Sequence, residues 1–220
     1  MSTSSTSALQ IDIVSDVVCP WCYIGKRRLE AALASPEAAD LPPARITWHP
    51  FQLNPDLPAE GVSRQAYLEE KFGGPERAAA IYERVRAAGR SAGLDLNIVG
   101  ITLQPTTRAA HALVDFAQQQ GLDASDLQER LLRAYFVENR FVGDIEVLAR
   151  VASEAGLDAA AARAHLQDAS ALAVIDQADR QARAMGVQGV PFFIFNRKVA
   201  VSGAQEPATL VQAMRQALAA

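Results

Sequence analysis

Cys19-Pro20-Trp21-Cys22 stands between two stretches of different character, and their order decides the fold. Before it, Leu9 to Val18 is an apolar run whose Ile11-Asp12-Ile13-Val14 segment has the β-branched content of a buried strand. After it, Trp21 to Ala34 reads as a helix with Cys22, Gly25, Leu29 and Leu33 on one face. Cys19 then sits at a helix N-terminus, where unpaired backbone N–H groups and the helix dipole favour an anion. A thiolate is such an anion, and it is the reactive form of cysteine. Cys22, one turn further on, falls on the inward face. The expectation is an unequal pair, with Cys19 exposed and partly ionised and Cys22 buried and mostly protonated.

The rest of the chain narrows the chemistry. Of 220 residues, half are hydrophobic, enough for a sizeable core without staples. A net charge of −4 sets nucleic acid aside as a main partner. No apolar run approaches the length of a membrane span. Met1 to Ser7 is Ser/Thr-rich, lacks the basic and apolar regions of a signal peptide, and reads as a disordered tail; cytoplasm is the default expectation. The two cysteines are the only ones, and closing so short a loop restrains the unfolded chain little. Exchange or metal binding suits them better. Zinc would need two further ligands from His49, His111 and His165, and no metal is expected.

Along the chain, Ser35 to Pro43 reads as a loop and Arg45 to Phe51 as a second strand, parallel to the first through a right-handed β-α-β unit. Asn54 to Val62 is a linker, and from Ser63 to about Asp168 the pattern is helical. Helices are expected over Arg64 to Phe72, Pro75 to Ala92 and Thr107 to Gln120, with an irregular apolar stretch at Gly93 to Gln104. Ser125-x-x-Gln128 has the form of a capping box, and Asp144 and Asp158 are placed to cap two further helices. A long helix over Ser170 to Met185 precedes a hairpin, Pro191 to Phe195 and Lys198 to Ser202 around Asn196-Arg197; Pro207 opens the last helix. Residues 8–62 and 169–220 would form one discontinuous α/β domain, with 63–168 an all-helical insertion subdomain. Trp48, Phe51 and Phe192 to Phe195 are expected in the core, and His165 at the surface.

With Cys19-Pro20-Trp21-Cys22 after a strand, a helical insertion, and Gly189-Val190-Pro191-Phe192-Phe193 near the end, the chain resembles the DsbA-type thioredoxin-fold family. Ser15-Asp16-Val17-Val18 before the motif, Trp48-His49-Pro50-Phe51-Gln52-Leu53-Asn54-Pro55, Ala134-Tyr135-Phe136 and Val201-Ser202-Gly203-Ala204-Gln205 resemble its FrnE-like cytoplasmic branch of dithiol-disulfide oxidoreductases or isomerases. The resemblance implies a thioredoxin-like α/β fold with a large helical insertion. It implies Cys19 and Cys22 as catalytic residues, Cys19 attacking a disulfide and Cys22 resolving the mixed disulfide. It also implies a cis Val190–Pro191 bond facing the cysteines, leaving the Val190 backbone to pair with an extended substrate or with glutathione. Pro20 would tighten the helix start and Trp21 offer an aromatic docking edge, so both join Val190 and Pro191 as substrate-binding candidates.

Charges near the motif oppose one another. Lys26, Arg27 and Arg28 favour a thiolate from farther along the helix, Asp16 disfavours it, and spacing does not settle the sum. His111 follows Pro105-Thr106-Thr107-Arg108, with Asp115 one turn on as a partner. Related glutathione-using proteins carry an Asn-x-x-x-His-like element here, whereas this chain has Thr107 at the Asn position. His111 is therefore a structural or cleft-lining residue rather than a catalytic one, kept among the substrate-binding candidates.

The partner would be a disulfide-containing protein or a small thiol or disulfide, with no bound cofactor, glutathione as a candidate co-substrate, and a homodimer left open. The competing reading is a glutathione-dependent isomerase or transferase of the kappa-type or 2-hydroxychromene-2-carboxylate isomerase kind. Those proteins typically carry Ser where this chain has Cys19. A non-enzymatic pathway partner is the third. The insertion is expected to form a lid over the cleft between Cys19 and Pro191, with Gly93 to Gln104 touching substrate.

Overall fold

The computed structural model describes residues 8–219, so the tail reading of Met1 to Ser7 lies outside the described residues. Strand β1 (Leu9–Ser15) runs into helix α1 (Pro20–Leu33), and β2 (Ala44–Pro50) returns parallel to β1 in the register Leu9↔Ala44 to Ser15↔Pro50. The chain comes back to this sheet in β5 (Phe192–Phe195), antiparallel to β1 with Ile13 opposite Phe193, and in β6 (Val199–Ser202), antiparallel to β5. The order β2-β1-β5-β6 makes β1 an interior strand. Its Leu9, Ile11 and Ile13 are buried on one face. The phenylalanine run divides by strand periodicity: Phe193 and Phe195 are fully buried, while Phe192 and Ile194 on the other face are half-buried. Asn196 and Arg197 both adopt left-handed φ, +49° and +57°, as a tight two-residue hairpin requires.

Between these halves lie a short strand pair, β3 (Val62–Ser63) with β4 (Leu103–Gln104), and helices α2 (Arg64–Phe72), α3 (Pro75–Ser91), α4 (Arg108–Gln119), α5 (Ser125–Phe136), α6 (Ile145–Glu154) and α7 (Ala159–Gln167). Helix α8 (Ala169–Ala184) leads back to the sheet, and α9 (Pro207–Ala219) follows it. Asp144 caps α6 by accepting from the N–H groups of Glu146 and Val147, and Asp158 caps α7 through Ala161. One apolar core runs through sheet and insertion, joining Ile11, Ile24 and Phe193 to Leu113, Leu131 and Leu148.

Several local readings need correction. The capping box does not form. Ser125 is the first helical residue, its hydroxyl accepts from the Trp48 indole at 3.3 Å, and Gln128 reaches Ser15. Tertiary partners outbid the local ones, and Asp123 takes the Ser125 N–H instead. Ser35 to Pro43 contains a 3₁₀ turn at Pro36–Ala38. His165 is half-buried, its ring packed 4.9 Å from that of Phe116. Gly93 to Gln104, by contrast, packs over the core as its apolar character implies, contributing Leu94, Leu96, Ile98 and Ile101. Its Ile98, Val99 and Ile101 line a cavity with α2 and α3 whose lining includes neither cysteine.

The basic run on α1 is bound rather than solvated. Lys26 is 5 % exposed and pairs with Glu30 and, at 3.0 Å, with Glu129 of α5. Arg27 and the Tyr23 hydroxyl also bond Glu129, and Arg28 bonds the Ala204 carbonyl and Glu206. Glu129 thereby fastens the insertion to the helix that carries the cysteines.

Candidate thiol site

Cys19 is the residue immediately before α1, with extended backbone (φ −95°, ψ 113°), and Pro20 opens the helix. The N–H of Cys22 bonds the Cys19 carbonyl at 3.0 Å, closing the first turn, while the Cys19 N–H bonds the Asp16 carbonyl at 3.1 Å. Proline costs nothing here because its missing N–H would have no partner in the helix. Both cysteines are free thiols.

The Val190–Pro191 bond is cis, and the Cys19 thiol donates to the Val190 carbonyl at 3.6 Å. Two further contacts hold this juxtaposition. The Gly203 N–H donates to the Pro191 carbonyl at 2.8 Å, which gives the Ser202-Gly203 turn a function at the site. Gly25 lets α1 lie directly on Pro191: a Cβ there would fall 2.8 Å from Pro191 Cγ and 3.2 Å from Phe193 Cζ. The expectation of an exposed Cys19 is wrong for this state. The residue is 5 % exposed, because a turn 171 residues away covers the sulfur. Trp21, 38 % exposed, is the open part of the motif.

Cys22 is 2 % exposed and accepts from the Asp16 N–H at 3.5 Å. Burial pushes its thiol well above the ordinary value, and the neighbouring Cys19 sulfur adds to the rise. The Ser15 hydroxyl and the Asp16 N–H pull the other way, since both donate to the thiolate.

Asp16 is fully buried, and its carboxylate accepts from the N–H of Leu53 at 2.8 Å. His111 meets this carboxylate, Nε2 lying 3.4 Å from Oδ1, and not Asp115, which bonds Gln119 at 2.6 Å. The one-turn pairing along α4 fails because His111 faces inward and Asp115 does not. Ser15, Gln128 and the Leu53 backbone were absent from the sequence reading of the site. Only Ser15, four residues before Cys19, carried a local signal. Among the described residues no three His, Cys, Asp or Glu side chains gather as metal ligands.

The DSBA-like thioredoxin domain family matches residues 10–215 of the chain. The chain belongs to that family. A probable DsbA oxidoreductase from Streptomyces coelicolor is similar in structure, with a TM-score of 0.82 and 32 % identity over 96 % of this chain and 90 % of that one. The protein YwbO of Bacillus subtilis is 26 % identical over 192 residues, 87 % of this chain and 88 % of its own. A 2-hydroxychromene-2-carboxylate isomerase shares the fold, with a TM-score of 0.68 at 16 % identity over 94 % of this chain and 95 % of that one. As a DSBA-like domain, this one places its dithiol at the start of α1 and its proline turn against it. Among the described residues no helix is long and apolar enough to cross a membrane.

Proposed function

We propose that the protein is a thiol–disulfide oxidoreductase of the FrnE-like kind, working on protein or small disulfides in the cytoplasm. The observation that carries this is the approach of Cys19 Sγ to the Val190 carbonyl, 3.6 Å, with Cys22 one helical turn behind. The Cys19 thiolate attacks one sulfur of the substrate disulfide, and the other sulfur leaves as a thiolate. Cys22 then attacks Cys19 Sγ, releasing the second substrate thiolate and forming the Cys19–Cys22 disulfide. Two electrons pass from protein to substrate. A reducing partner such as glutathione restores the dithiol.

Position supports the order of attack. Cys19 lies at the positive end of α1, beside exposed Trp21, while Cys22 is sealed below it. A substrate strand entering over Trp21 would displace the Cys19 thiol from the Val190 carbonyl and pair with that backbone itself. In a reducing cytoplasm, reduction or isomerisation is easier to sustain than net oxidation. The test is trapping. Cys22→Ser should accumulate a mixed disulfide at Cys19, visible as a mass adduct, while Cys19→Ser gives neither adduct nor turnover. A Cys22→Ser chain that reacts with no protein, glutathione or aromatic disulfide sinks the proposal.

The glutathione-dependent isomerase reading is favoured only by the fold shared with the 2-hydroxychromene-2-carboxylate isomerase. It predicts that Cys19→Ser keeps an isomerase activity.

A further inference from the structure

Arg64, the first residue of α2, is 8 % exposed, yet every group it bonds is neutral. Its Nη1 donates to Gln104 Oε1 and, at 3.5 Å, to the Tyr135 hydroxyl, and its Nη2 donates to the Tyr82 hydroxyl. Those bonds leave N–H groups unused, Nε among them. The Tyr67 and Tyr82 rings stand 5.2 and 5.3 Å from its Cζ, which softens the charge without neutralising it. A buried cation is costly unless an anion meets it. Lys26, buried as deeply, is met by Glu30 and Glu129; among the described residues no carboxylate does the same for Arg64.

Arg64 also lines the cavity between α2, α3 and the Ile98 to Ile101 segment, about 220 Å³ in volume. That lies between a cavity that holds benzene, about 150 Å³, and the pockets of drug-sized ligands, from about 300 Å³. Arg64, Tyr82 and Arg86 bring its polar side chains, and the rest of its wall is apolar. Arg86 is already paired, with the exposed Glu83 at 2.5 Å, so the unmet charge is that of Arg64. The Tyr82 hydroxyl accepts from Arg64 and keeps its own proton to donate. Burial raises that hydroxyl above its ordinary value, so the proton stays on at neutral pH. Val99, also on the wall, is 81 % exposed, an apolar side chain for a ligand to cover.

We propose that this cavity binds a small apolar monocarboxylate, its carboxylate on Arg64 and the Tyr82 hydroxyl and its tail against Val99 and Ile101. A guanidinium beside an apolar wall suits that ligand: the carboxylate answers the charge, and the wall covers the tail. A neutral apolar molecule would fill the space and leave the charge unmet. A more highly charged anion would bring more charge than one arginine offsets. The cavity's lining includes neither Cys19 nor Cys22, so binding is independent of the exchange reading. The Gly93 to Gln104 stretch then meets a ligand, but not the disulfide.

Calorimetric titration of the wild-type chain with octanoate and with its neutral counterpart octanamide tests the assignment. Octanoate should bind saturably and about tenfold more tightly than octanamide, the size expected of a hydrogen bond to a charged group. Arg64→Met should erase that preference by weakening octanoate alone. Because a buried arginine can also matter to folding, Ala79→Phe is the second variant. Ala79 is exposed and lines the cavity, so the added ring fills the space with Arg64 left in place, and both ligands should be lost. Wild-type protein with no saturable octanoate binding at millimolar concentration, or with equal affinity for octanamide, overturns the site. So does an octanoate affinity that survives either variant.

Discussion

Replacing Gly25 by alanine sets two effects of opposite sign against each other. In an ordinary helix interior the change stabilises by about 1 kcal/mol, because alanine has less backbone freedom to lose. Gly25 is buried inside α1, however, and its missing Cβ is where Pro191 sits. The added carbon would meet Pro191 Cγ at 2.8 Å, Phe193 Cζ at 3.2 Å and Pro191 Cβ at 3.4 Å. A proline ring cannot swing aside, and Phe193 is fully buried, so helix and turn must move apart. Overpacking of this kind costs about 1–3 kcal/mol. The clash outweighs the propensity gain, and the expected result is a net loss of about 1 kcal/mol. Urea denaturation of the reduced protein measures it. Since Cys19 and the Val190 carbonyl lie across this contact, disulfide exchange should slow as well. A Gly25→Ala protein more stable than wild type, with unaltered exchange, would refute the packing of α1 on Pro191.

Other perturbations have equally definite signs. Burial raises the Cys22 thiol, so the unfolded chain loses that proton first. Its contribution to stability is complete below the unfolded thiol value, about 8.5, and drains away as pH rises past it toward the folded value. Tyr23 and Tyr135 are also raised, chiefly by burial, and extend the loss to higher pH. Cys22→Ser should therefore flatten the stability–pH curve of the reduced protein above about pH 8.5, and an unchanged slope would count against a raised Cys22. Glu129→Gln removes the anion that Lys26, Arg27 and Tyr23 share, and should cost about 2 kcal/mol in a denaturation midpoint. Asp144→Ala removes two bonds to the start of α6 and should cost about 1 kcal/mol by the same measurement, with no effect on exchange.

What the sequence disclosed followed from local periodicity. The strand–Cys-x-x-Cys–helix order, the β-α-β unit, the terminal hairpin and the caps at Asp144 and Asp158 depend on residues a few positions apart, so each could be read in place. The site's inner partners depend on contacts across the chain. Ser125 and Gln128 have the spacing of a capping box, yet Gln128 serves Ser15, 113 residues away. His111 has Asp115 at helical spacing, but its carboxylate partner comes from the end of β1. Periodicity tells which face of a helix turns inward and nothing of what waits there. The same limit hid the covering of Cys19: a helix N-terminus implies an open sulfur until the Val190 turn is folded over it.

The most direct test of the central claim is to equilibrate the protein in glutathione buffers of graded ratio and count free thiols by a mass tag. The account predicts that Cys19 and Cys22 lose their tags together, along a two-electron curve of about 30 mV per tenfold change in the equilibrium ratio. If either thiol keeps its tag at every ratio, or Cys19 alone is lost to a glutathione adduct that Cys22 never resolves, the pair is not a redox couple and the account fails.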